Sequence, residues 1–233
     1  AILVEAYLLA GDNRFRLDRY ASAYAFYDSA LYLAEQEKGN PDIYTSLRGL
    51  YLRQGEAAYF LGKYLNGVEY LYKLLQSEST LNPAMKMQAY IRLGNLFIRL
   101  GKNDLAIHYL DAAHQLQKEV EAYDSLPAEV FPVWQSNDYP ACQACGTDWP
   151  AEDLASDLDF ELNLSYSSAY WQKNEHETSV HYIEKAKKSA SAHKLNRVYQ
   201  NISIHHLTLG DLNQSERFCL LALRIADKLY EQA

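Results

Sequence analysis

One ordered pattern constrains this chain more than any other feature. It reads Tyr90, Leu93-Gly94, Phe97, Gly101, Ala106, Leu110, Ala113: two aromatic residues flank a Leu-Gly, a glycine follows, and a small-large-small series comes next. The apolar spacing is helical on both sides of Gly101. Glycine inside a helix costs stability, and Gly94 is justified only where another helix must approach closer than a Cβ permits. Gly101 supplies a turn conformation closed to bulky residues. Ala106 and Ala113 are read as facing the helix crossing, with Leu110 filling the space between. The stretch therefore describes two antiparallel helices that cannot bury their apolar faces without neighbouring copies.

Such copies exist. A second runs through Tyr51, Gly55, Ala58, Gly62, Tyr64, Gly67, Leu71 and Leu74, and another through Tyr7, Gly11, Tyr20, Ala23, Tyr27 and Ala30. Downstream, Tyr166, Tyr170, Ser179, Ile183 and Ala186 give a less complete copy. Tyr199, Gly210, Leu212, Ser215, Cys219 and Ala222 give the last. The anchors recur at spacings of about 44, 39, 73 and 36 residues, and an ordered pattern that recurs is the mark of a repeat architecture. The extra length falls at Gly39-Asn40-Pro41 and Asn82-Pro83, which read as helix stop signals.

The pattern resembles the tetratricopeptide repeat. That resemblance implies an all-α fold, a right-handed superhelical α-solenoid of antiparallel helix pairs. Three pairs are expected over residues 1–124 and two over 154–233, with an irregular insert at 125–153 inside one continuous solenoid. It also implies a non-catalytic scaffold or adaptor that holds a segment of a partner polypeptide in its concave groove, within a multi-protein complex. Repeat domains with pairs of roughly 40 residues resemble, in addition, the ligand-binding halves of bacterial regulators. A ligand- or peptide-sensing module of a larger bacterial regulator, responding to short peptides or sugars, is therefore the alternative expectation.

Composition narrows the partner class. A formal charge of −8 opposes a phosphate-binding footprint, which needs Lys and Arg clustered on one face, so no nucleic-acid partner is expected. No stretch reaches the roughly 18 apolar residues of a membrane span. The opening Ala1-Ile2-Leu3-Val4-Glu5 lacks the basic region of a signal peptide, and a cytoplasmic protein is expected. That same opening reads as the interior of a helix without Met or a cap, hence as part of a longer chain. Twenty Tyr suit sites between packed helices and a wet groove, since the ring packs while the hydroxyl needs a partner.

The insert holds Cys142-Gln143-Ala144-Cys145-Gly146. Two thiolates at this spacing make half of a tetrahedral zinc site, but the nearest further His or Cys lies about thirty residues away, so Cys142 and Cys145 are expected to be surface thiols and no cofactor is expected. His205 and His206 read as packing imidazoles, Asp157 and Asp159 as solvated carboxylates. No His-Glu-x-x-His, Gly-x-Ser-x-Gly or Gly-rich phosphate loop occurs; no catalytic set is assigned.

The groove is what remains. The resemblance puts the first helix of each pair on its inner side, where the residues expected to meet a partner are Phe15, Arg16, Glu56, Tyr59, Arg92, Asn95, Arg99, Ser168 and Trp171. Aromatic rings would anchor apolar side chains, Asn95 would bond a peptide backbone, and Arg92 and Arg99 would meet carboxylates. The Lys and Asn set with which chaperone-tail tetratricopeptide domains hold a C-terminal carboxylate is absent. Its places carry Leu8, Asp12, Glu56, Gln88 and Arg92, and only Arg92 keeps the charge.

Overall fold

The computed structural model describes residues 2–36, 41–76, 81–123, 154–191 and 194–232. These residues are helical, in the order α1 Ile2–Arg16, α2 Tyr20–Gln36, α3 Pro41–Phe60, α4 Tyr64–Leu75, α5 Pro83–Arg99, α6 Asn103–Gln115, α7 Gln117–Tyr123, α8 Leu154–Gln172, α9 His176–Ser189, α10 Leu195–Thr208 and α11 Leu212–Gln232. They divide into two compact units. The first holds α1 to α6 as far as Ala113, and the second runs from His114 through α7 to α11.

Five hairpins, α1/α2, α3/α4, α5/α6, α8/α9 and α10/α11, close in the same way. Asp18, Gly62, Gly101, Asn174 and Gly210 all take positive φ, from 55° to 80°. In each hairpin the next amide reaches back over the helix end: Arg19 to the Arg14 carbonyl, Lys63 to Ala58, Lys102 to Phe97, Glu175 to Tyr170 and Asp211 to His206, at 2.8–2.9 Å. This is a Schellman closure, and its left-handed residue is normally Gly or Asn. The turn numbers repeat the anchor spacings read from the sequence. Asn82-Pro83 does not only end the preceding segment. The Asn82 side chain accepts from the Met85 amide at 2.7 Å and Pro83 opens the helix, so the pair starts α5.

In the first unit α3 is the centre. Every residue from Leu50 to Ala58 is buried, because α3 packs on α1, α2, α4 and α5. Small residues set the approach distances. A Cβ at Gly94 would lie 2.7 Å from a Leu110 methyl, and one at Gly67 would lie 3.1 Å from the Gly55 carbonyl. The second unit uses serine at the same crossings. Ser179 Oγ donates to the Ser167 carbonyl at 2.8 Å, and Ser203 Oγ to the Ser215 carbonyl at 2.8 Å. The core of this unit gathers Phe160, Leu164, Ile183, Ala186, Val198 and Ile202. Gln117 on α7 donates to Asp159 on α8 at 3.0 Å.

Candidate partner-binding faces

The first helices α1, α3 and α5 lie side by side in the first unit. Asp12, six residues before its turn residue, accepts from Arg53 Nε at 2.7 Å and Nη2 at 3.0 Å. Glu56, six residues before Gly62, lies 3.0 Å from Arg92 Nη2. Arg53 and Arg92 each stand nine residues before the turn of their own hairpin, so one acid-to-arginine step recurs from α1 to α3 and from α3 to α5. Tyr27 also donates to Asp12 at 2.7 Å. Burial and the Asp12 carboxylate both push the Tyr27 hydroxyl well above its ordinary pKa, so it stays a protonated donor.

Of the seven expected groove residues in this unit, these contacts separate two kinds. Glu56 is only 6% exposed, and Arg92 is engaged with it rather than presented to solvent. Phe15 is buried against Tyr20 and Phe60, with centroids at 5.1 and 5.6 Å. Asn95 is half-buried on the same face of α5. Arg16 and Arg99 are exposed at the ends of α1 and α5. Arg99 donates through Nε to the Tyr59 hydroxyl at 3.0 Å, with its guanidinium 5.3 Å from that ring. Tyr59 in turn meets Phe60 edge-on at 5.3 Å, and Phe60 stacks on Tyr20 at 4.4 Å. Ring contacts and one hydrogen bond thus link Phe15, Phe60, Tyr59 and Arg99 along the turn side of the unit, with Arg16 exposed at the end of α1.

In the second unit, Ser168 turns its hydroxyl inward to the Leu164 carbonyl at 3.1 Å. Trp171 stacks on His205 at 3.9 Å with an interplanar angle of 4°, and meets His176 at 4.3 Å. His205 is buried, and desolvation, helped by the neighbouring imidazoles of His176 and His206, lowers its pKa to about 4. It is a neutral packing group. His206 stacks on Phe218 at 5.5 Å.

Two carboxylates expected in solvent are not there. Asp157 is paired with Lys194, which is 1% exposed and lies over the Phe160 ring. Asp159 accepts from Gln117 and from Asn163 at 2.9 Å. Their neighbour Glu161 takes Arg197, with Nη2 at 3.3 Å from Oε2. Sequence reasoning missed these pairs, as it missed Asp12 with Arg53, though one signal was present: an acid and an arginine recur at fixed distances before successive turn residues. Cys142 and Cys145 lie outside the described residues. Among the described residues no group of three or more His, Cys, Asp or Glu is placed to hold a metal ion, and no helix is long and apolar enough to cross a membrane.

Comparison with known proteins places this geometry. Residues 88–119 and 160–193 match the tetratricopeptide repeat family; the chain carries tetratricopeptide repeats at these two places, in the third and fourth hairpins. No curated protein sequence matches the chain. Among solved structures it is similar to the Rap conjugation gene regulator of the plasmid pLS20 in complex with the Phr* peptide, at 20% identity and a TM-score of 0.67, over 95% of this chain and 53% of that one. It is similar to BtubC (BKLC) from P. vanneervenii at 16% identity and a TM-score of 0.59, over 98% and 82% of the two chains. For the MamA RS-1 ArsTM double mutant the values are 14%, 0.51, 98% and 97%. The chain spans about half the length of the Rap regulator. These likenesses establish an all-helical fold of tetratricopeptide type.

Proposed function

We propose that the chain is a non-catalytic interaction scaffold whose first-helix faces hold a segment of a partner polypeptide. The observation that carries this is the division of labour on α1, α3 and α5. Asp12, Arg53, Glu56 and Arg92 bind one another between helices, whereas Arg16, Phe60 and Arg99 are exposed on the same face. A row of rigid rings with guanidinium groups at its margins suits a peptide, whose apolar side chains pack while its polar groups find donors. The repeat match supports the scaffold class, and the Rap neighbour, solved with a peptide bound, supports a peptide as the thing held. That same neighbour favours a second reading, in which the chain is the peptide-sensing part of a larger regulator.

The test is site-specific photocrosslinking. A photoreactive residue at Tyr59 is expected to trap a partner that the same group at Lys118 on α7 does not, and Tyr59→Ala/Asn95→Ala/Arg99→Ala is expected to release that partner while keeping its helical circular dichroism. Equal trapping from both places, or full retention by the triple variant, would remove the first-helix face from the reading.

A further inference from the structure

Resting on the scaffold reading, we propose that the turn-side edge of the first unit binds an acidic polypeptide segment bearing an aromatic or long apolar side chain. The three hairpins of this unit each place cations where the first helix ends: Arg16 and Arg19, Lys63, and Arg99 with Lys102, all exposed. Among the described residues none of the five lies within ion-pair distance of a carboxylate, in contrast to Arg53 and Arg92 on the same helices. Among the described residues the acids on this edge are Asp18, which accepts the Tyr20 hydroxyl, and Asp104. Five cations against two anions is a marked local excess in a chain of formal charge −8.

Among the described residues the second unit shows no such edge. There Lys173 lies 3.2 Å from Glu175, and Asp211 follows Gly210 with His206 Nδ1 at 3.5 Å. Two of the cations of the first unit, Lys63 and Arg99, are also held in place. Lys63 sits 4.3 Å from the Tyr24 centroid, and the Tyr59 hydroxyl holds Arg99 at Nε. That contact leaves the paired terminal nitrogens of Arg99 for a carboxylate, which a planar guanidinium meets with two parallel bonds. Phe60 is 39% exposed between Arg16 and Arg99 in sequence order, and its other contacts are rings that fix it. A partner meeting this edge gains charge pairing from both margins and an apolar contact at the middle. Polyphosphate is the poorer fit, because single cations one hairpin apart do not track a backbone and the net charge repels it.

The measurement is fluorescence anisotropy on the full chain with three labelled probes: a short peptide of Asp, Glu and Phe, its Asn, Gln and Phe counterpart, and oligothymidylate. The acidic peptide is expected to bind roughly tenfold tighter than the neutral one and to lose that margin as salt rises. Arg16→Glu/Arg99→Glu is expected to abolish the preference, and Phe60→Ala to weaken both peptides. Lys63→Gln/Lys102→Gln changes only exposed side chains and is expected to reduce the preference in part, so the test survives should the charge reversal unfold the chain. Equal binding of the two peptides, an unchanged preference in the variants, or tighter binding of oligothymidylate would overturn the proposal. Equal binding would leave the scaffold reading intact, because that reading is tested separately by the Tyr59 crosslink and the triple variant.

Discussion

Arg92 on α5 reaches back to Glu56 on α3, with Nη2 3.0 Å from the carboxylate, and Glu56 has almost no surface of its own. A carboxylate so buried depends on its partner, because an uncompensated charge in that place carries the full desolvation penalty. Arg92→Met is therefore expected to destabilise the chain by about 2–4 kcal/mol in urea denaturation. Glu56→Gln/Arg92→Met, which removes both charges, is expected to lose less than Arg92→Met does alone. A larger loss in the double variant would show that the pair is not what holds α3 to α5.

The crossing at Gly94 makes the opposite kind of prediction. Alanine is the better helix former, yet its Cβ would sit 2.7 Å from Leu110 Cδ2 and 2.9 Å from Leu110 Cγ. Gly94→Ala is expected to cost about 1–3 kcal/mol through overpacking. Adding Leu110→Val, which shortens the obstructing side chain, is expected to recover part of that cost. Melting curves of the single and double variants decide it.

The turn residues separate backbone strain from packing. Nothing lies within 4 Å of a Cβ added at Gly101, so only its φ of 69° opposes a side chain. Gly101→Ala is expected to cost about 1 kcal/mol. At the matching turn of the second unit, Asn174 holds φ 62° with a side chain present, and Asn174→Gly is expected to change stability by less than about 1 kcal/mol, on the favourable side. Equal losses at the two turns would contradict the shared closure.

Acid should loosen the second unit through His205. Its folded pKa is about 4, against an ordinary value of 6.5, so the unfolded chain takes up the proton first. The stability tied to neutral His205 is complete above about pH 6.5 and is lost as pH falls toward about 4. The size is about 1–3 kcal/mol once solvent screening is allowed for. His205→Phe keeps a ring against Trp171 and is expected to flatten the stability profile across that window, as followed by Trp fluorescence during urea unfolding. An unchanged profile would assign the acid sensitivity elsewhere.

Much of the fold was legible beforehand because its determinants are local. Gly62, Gly101 and Gly210 announced turns, and the small residues at Gly55, Gly94 and Ala106 announced helix crossings. Asp18 and Asn174 carry the same turn without a glycine, and sequence reasoning did not single them out. The candidate face was legible in part. Tyr59 and Arg99 do meet, but Arg92 was read as awaiting a partner's carboxylate when Glu56 already supplies one. Asp157 and Asp159 were read as solvated because residues two apart on a helix diverge. That reasoning was correct about each other and silent about Lys194 and Gln117.

The sequence alone determined the helix pairs, their turns and the crossings, since a left-handed residue acts at its own turn and a missing Cβ acts within its own hairpin, as Gly94 does on Leu110. Only the tertiary structure decided which charges are spent inside the protein. Asp12 and Arg53 stand 41 residues apart and Glu56 and Arg92 stand 36 apart, so their pairing depends on how far one first helix is shifted along the next. Helical periodicity places a side chain on a face; it does not say whether a neighbouring helix brings the opposite charge within 3 Å.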